Sequence, residues 1–92
     1  MTNIKRVQVI YTGQVQGVGF RFTVSSIAES LGISGFVRNL SDGSVEVICE
    51  GEKKEIEDFL KRINDNMSGY ISGHTRQEVP LTEEITAFDI KF

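Results

Sequence analysis

The stretch Val7-Gln8-Val9-Ile10-Tyr11-Thr12-Gly13-Gln14-Val15-Gln16-Gly17-Val18-Gly19-Phe20-Arg21 changes its period halfway along. Val7, Val9 and Tyr11 alternate with Gln8, Ile10 and Thr12, which predicts a strand ending at Gly13. From Phe20 the apolar positions Phe20, Val24, Ile27, Ala28 and Leu31 recur at helical spacing, and Gly32 can close that helix as a left-handed cap. The two patterns meet across a glycine-rich turn. Glycine lets successive N–H groups point inward, the helix start adds partial positive charge, and Arg21 supplies a planar fork of donors. Together these predict an oxyanion cradle for a phosphate or a group shaped like one.

Outward from this junction the chain reads as six or seven short elements with no internal repeat, linker or low-complexity tract. Residues 35–40 and 44–50 predict two strands joined through Ser41-Asp42-Gly43, whose Asp-Gly pair is a hairpin signal, so Asn39 falls near the turn. Ile56, Phe59, Leu60, Ile63 and Met67 mark a second helix over 52–66, with Glu52 and Glu55 early and Lys61 and Arg62 late, in the sense the helix dipole favours. Phe88, Ile90 and Phe92 alternate with Ala87, Asp89 and Lys91 in a last strand, a weaker strand precedes it over 71–79, and the single proline, Pro80, lies between the two. The order βαββαβ, with one apolar face per helix, predicts an α+β fold of the ferredoxin-like plan: a mostly antiparallel sheet with both helices packed on one face.

Bulk properties narrow the function classes. With 92 residues the chain has room for one domain, 1–92, burying roughly 60 to 65% of the surface its unfolded form exposes. Net charge is −3 and the pI about 5.1, against a surface that neutralises many nucleic-acid phosphates but compatible with one local anion site. No apolar run approaches the ~20 residues of a bilayer span, and the start Met1-Thr2-Asn3-Ile4-Lys5-Arg6 has no secretory h-region, so a cytoplasmic protein without membrane association is expected. Cys49 is the only cysteine, which excludes an internal disulfide or a cysteine-built zinc cage; in register with Val45 and Val47 it is expected in the core.

Candidate chemistry narrows by elimination. His74 is the only histidine, so neither a Ser-His nor a Cys-His pair with an orienting acid is in evidence. Glu52, Glu55, Glu57 and Asp58 share a solvated helix face with lysines rather than forming a metal cluster. Gly13, Gly17 and Gly19 fit neither G-x-G-x-x-G nor a P-loop. A catalyst built on this chain must work by positioning.

The string Val15-Gln16-Gly17-Val18-Gly19-Phe20-Arg21 is joined one helix later by Gly35-Phe36-Val37-Arg38-Asn39. In these two motifs the chain resembles the acylphosphatases, whose loop reads G-x-V-Q-G-V-G-F-R and whose second motif reads G-x-V-x-N. Residues 40–47 and Phe88-Asp89-Ile90 are also similar to that family, so the likeness covers nearly the whole chain. It departs in the second half, where 64–69 lacks the family's Gly-Pro and His74 stands at an apolar strand position. The resemblance implies hydrolysis of small acyl phosphates to carboxylate and inorganic phosphate by direct attack of a water, with no metal, cofactor or covalent intermediate. It also implies that Arg21 and Asn39 are the catalytic pair, and that the backbone amides of Val15, Gln16, Gly17, Val18, Gly19 and Phe20 bind the substrate phosphate.

Two other readings compete. Gly17-Val18-Gly19-Phe20-Arg21-Phe22 superficially matches the RNP1 string of RNA-recognition domains, but it precedes a helix instead of lying on an interior strand, and the pI is acidic. A phosphate-binding domain serving a larger carbamoyl-phosphate-using enzyme is the second. The chain's length, from Met1 to its last strand, predicts instead a free-standing hydrolase, a monomer whose partners are its substrate and phosphate product, with no nucleic acid.

Overall fold

The alternation of Val7, Val9 and Tyr11 becomes the inward face of β1 (Ile4–Gly13), the second strand from one edge of a five-stranded sheet. The structure is a computed structural model and describes residues 3–92. After β1 come α1 (Phe20–Leu31), β2 (Ser34–Asn39), β3 (Val45–Glu52), α2 (Lys53–Met67), β4 (Ile71–Val79) and β5 (Phe88–Lys91). The sheet order is β4-β1-β3-β2-β5, antiparallel except for the parallel β2–β5 pair. Both late strands enter the sheet, so the predicted βαββαβ order is completed as βαββαββ on the expected plan.

Val7 faces Cys49, Val9 faces Val47 and Tyr11 faces Val45 across β1 and β3. Onto this face α1 places Phe20, Val24 and Ala28, and α2 places Ile56, Phe59, Leu60, Ile63 and Met67, forming one core that also takes in Val37 and Phe88. Each fully buried aliphatic or aromatic side chain contributes ~1.5–3 kcal/mol, so this face carries most of the stability. Gly32 ends α1 in the left-handed conformation, its N–H directed at the Glu29 carbonyl, as the sequence predicts. α2 opens on a capping box in which the Glu55 side chain accepts from the Glu52 N–H at 2.9 Å.

The opposite face of the sheet is polar. Gln77 donates to Gln8 at 2.7 Å, Gln8 to Glu46 at 2.6 Å, and Arg38 to the other oxygen of Glu46 at 2.5 Å. Residues 80–87 connect the two sheet edges, and Arg6, only 7% exposed, bonds to Glu50 at 2.7 Å and to the Glu83 carbonyl of this connection. A buried guanidinium paired in this way is costly to strip of its partners. Among the described residues no helix is long and apolar enough to cross a membrane.

Candidate active site

The turn between β1 and α1 holds Gly17 and Gly19 both at φ 78°. An L side chain there is strained whatever the free space, which is why the backbone at both positions calls for glycine. Gly19 is the N-cap of α1 and offers no side-chain acceptor, and the first turn carries no acidic residue. The leading N–H groups of the helix thus have no local capping partner, and their dipole is uncompensated. A helix start of this kind is suited to accept an anion.

One cleft of about 270 Å³ is lined by Val15, Gly17, Gly19, Phe20, Arg21, Phe22 and Asn39. The fold therefore brings Arg21 and Asn39, eighteen positions apart in the chain, to one lining together with the cradle backbone. Arg21 arrives from the first turn of α1 and Asn39 from the last residue of β2. At slightly under the ~300–1,000 Å³ of drug-sized ligand sites, the cleft suits a small substrate. Gln16 and Val18 are not among the lining residues.

The side chain of Gln16 has a different task. Its amide nitrogen donates to the Leu40 carbonyl at 2.8 Å and to the Ser44 carbonyl at 2.9 Å, tying the glycine-rich loop to the hairpin that begins just after Asn39. The hairpin itself is longer than a two-residue Asp-Gly turn. Leu40 N–H reaches the Ser44 carbonyl at 2.9 Å, Gly43 N–H the Leu40 carbonyl at 3.2 Å, and Asp42 accepts from both the N–H (2.9 Å) and the hydroxyl (2.5 Å) of Ser44. These Ser44 bonds, the hydroxyl first, hold the Asp42 carboxyl below its usual range.

Arg21 is held from the far end of the chain. Its guanidinium donates to the Lys91 carbonyl at 3.2 Å and lies 4.7 Å from the centroid of the Phe92 ring. The parallel pairing of β2 with β5, in which Arg38 faces Lys91, explains how: both strands run toward the cradle and end beside it. Neither this support nor the Gln16 brace is visible in local sequence pattern. The alternation of Phe88, Ile90 and Phe92 predicts a strand without naming its neighbour.

His74 and Cys49 lie elsewhere. His74 is exposed on β4 with its ring 5.9 Å from that of Tyr11, and Cys49 is buried with its thiol 3.8 Å from the Val7 carbonyl. Burial pushes the Cys49 thiol up to about 12, so it is a neutral packing group at ordinary pH.

Comparison with known proteins finds relatives over most of the chain. A family model described as Acylphosphatase matches residues 7–90, a span that contains the loop and Asn39. The acylphosphatase of Lactobacillus johnsonii is 37% identical over 91 residues, covering 97% of this chain and 100% of the relative. That of Methanospirillum hungatei is 50% identical over 68 residues, 74% of this chain and 75% of the relative. Among solved structures, the crystal structure of the acylphosphatase from Bacillus subtilis superposes with a TM-score of 0.86 at 27% identity, covering 96% of this chain and 99% of that one.

Proposed function

This chain belongs to the acylphosphatase family, and on that footing we propose that it hydrolyses small acyl phosphates to carboxylate and inorganic phosphate by direct attack of an oriented water. The observation that carries the reading is the shared lining: Arg21, Asn39 and the backbone of Gly17 and Gly19 border one cleft. In this reading the amides of residues 15–20 and the Arg21 fork hold the phosphoryl oxygens. The Asn39 side chain accepts a hydrogen bond from the water and aims a lone pair at phosphorus. As the new P–O bond forms, the bond to the acyl oxygen breaks and the carboxylate departs with its electron pair. The proton of the water passes to a phosphate oxygen of the substrate itself.

Such a mechanism asks little covalent chemistry of the protein. A carboxylate is a good leaving group, so the barrier is lowered by positioning and by donors aimed at the charge of the transferring phosphoryl group. Arg21 is suited to this because its fork is already oriented by the Lys91 carbonyl and the Phe92 ring before substrate arrives. The ordering cost is met on folding rather than on binding.

The test is phosphate release from acetyl and benzoyl phosphate, in the presence of EDTA, by the wild type and three variants. Arg21→Ala removes a donor used in both bound and transition states, so it is expected to raise KM and to lower kcat by ~10²- to 10³-fold. Arg21→Lys is also impaired, since an ammonium lacks the bidentate fork. Asn39→Ala should lower kcat by a similar factor while inorganic phosphate binds nearly as before. Wild-type turnover by Asn39→Ala would remove its water-orienting role, and activity abolished by EDTA would overturn the metal-free mechanism.

A further inference from the structure

Phe22 is not part of the core. The buried stripe of α1 is Phe20, Val24 and Ala28, and Phe22, two positions from Phe20, falls on the opposite side of the helix with 75% of its surface exposed. It nonetheless lines the cleft that holds Arg21 and Asn39. The other apolar lining side chains, Val15 and Phe20, are each 1% exposed and have no free surface to offer a ligand. Within this cleft, Phe22 is the apolar side chain open to an incoming molecule.

Charge at the same lining is equally selective. Arg21 is the one charged side chain of the seven lining residues, and one nitrogen of its fork is already engaged by the Lys91 carbonyl. Among the seven lining residues there is no second cation to pair with an extra carboxylate and no carboxylate to hold an ammonium. In-line displacement sends the leaving acyl oxygen away from the water that Asn39 orients. The acyl group therefore emerges from the cradle into a rim that offers an aromatic face and no counter-charge.

We propose that Phe22 is the specificity-determining residue for the acyl half of the substrate, packing against an uncharged, apolar acyl group and favouring aromatic acyl phosphates over acetyl phosphate and over acyl groups that carry a second carboxylate. This rests on the hydrolase reading above and adds the substrate class to it. Flat aromatic rings in offset or edge contact gain most from such a wall. A dicarboxylic acyl group would lose hydration at its free carboxylate with nothing returned.

The experiment compares kcat/KM for benzoyl, acetyl and succinyl phosphate in the wild type, Phe22→Ala and Phe22→Leu, with inhibition by inorganic phosphate as a readout of the cradle alone. The wild type is expected to prefer benzoyl phosphate, with succinyl phosphate the poorest of the three. Phe22→Ala should lower kcat/KM for benzoyl phosphate about tenfold, the low end for a hydrophobic contact because the rim is open on one side. Acetyl phosphate should change by less than about twofold, phosphate inhibition should be unchanged, and Phe22→Leu should recover part of the benzoyl preference. An equal fall for benzoyl and acetyl phosphate, or no change in their ratio, would overturn the assignment while leaving the hydrolase reading in place. A wild type that hydrolyses none of the three would overturn both. Because Phe22 is exposed and outside the core, the melting temperature of Phe22→Ala should match the wild type, and folding does not confound the ratio.

Discussion

Gln16 joins the two halves of the cleft from outside it. One amide group satisfies two partly buried carbonyls, of Leu40 and Ser44, and so fixes the hairpin beyond Asn39 against the loop that carries the cradle. Truncation removes one donor from each, while Leu40 N–H still reaches the Ser44 carbonyl and Gly43 N–H the Leu40 carbonyl, so the loss is that of two hydrogen bonds, about 0.5–1.5 kcal/mol each. Gln16→Ala is therefore expected to lower the urea midpoint and, by letting Asn39 drift, to reduce kcat about tenfold with a smaller effect on KM. Gln16→Glu should do no better than alanine, since a carboxylate of similar size has no proton to donate. A variant that loses stability but keeps full kcat would mean that Asn39 is positioned by β2 alone. Arg21 shows the same division of labour, with its partners Lys91 and Phe92 seventy positions downstream.

At the scale of elements, two glycines separate two kinds of constraint. At Gly35 in β2, φ is 148° and an added Cβ would sit 1.9 Å from the Ile48 carbonyl oxygen of β3, a distance no side chain can take. At Gly17 in the cradle loop φ is 78° and nothing lies within 4 Å of an added Cβ. Gly17→Ala thus pays only left-handed backbone strain, ~1–2 kcal/mol, and at ~4–8 °C per kcal/mol for a domain this size the melting temperature should fall by about 5–15 °C. Gly35→Ala must push β2 away from β3, and it is expected to fall much further or fail to fold. Thermal melts of the two variants side by side check this. A Gly35→Ala variant as stable as Gly17→Ala would mean that the β2–β3 pair yields more easily than its register implies. Since β2 also carries Asn39, the same pair sets the reach of that side chain toward the cradle.

Across the whole molecule, what was legible in the sequence is what repeats locally. The helical spacing of Phe20, Val24 and Ala28, the alternation of Val7, Val9 and Tyr11, and the left-handed Gly32 cap are each specified within a turn or two of chain, and the structure has them where the pattern puts them. Arg21 and Asn39 were legible as a motif, and the fold brings them to one cleft. β4 was legible over 71–79 only as a weaker strand, because an edge strand solvated over most of its length has little apolar alternation to read, and its place at the sheet edge was not legible. Nor was the Arg6 tether to residues 80–87 or the placement of β5 beside β2, which depend on pairings more than fifty residues apart. The core assembled by those distant pairings buries two acids in neutral form, and this has a consequence for stability against pH. Burial raises the Cys49 thiol from 9.0 to about 12, and burial, with a smaller contribution from Cys49, raises the Tyr11 hydroxyl further still above its ordinary 10.0. A group whose folded pKa lies above its unfolded value contributes stability that is complete below the unfolded pKa. As pH rises past about 9 the unfolded chain releases the Cys49 proton while the folded protein cannot, and Tyr11 follows above about 10. Stability should thus be flat in this respect up to about pH 9 and then decline by up to ~1.4 kcal/mol per pH unit for each group titrating. Urea unfolding between pH 7 and 11 checks it: Cys49→Val should flatten the first part of the decline, Tyr11→Phe the later part, and a native Cys49 should not react with thiol reagents at pH 8. An alkaline decline unchanged in both variants would place its origin in other groups.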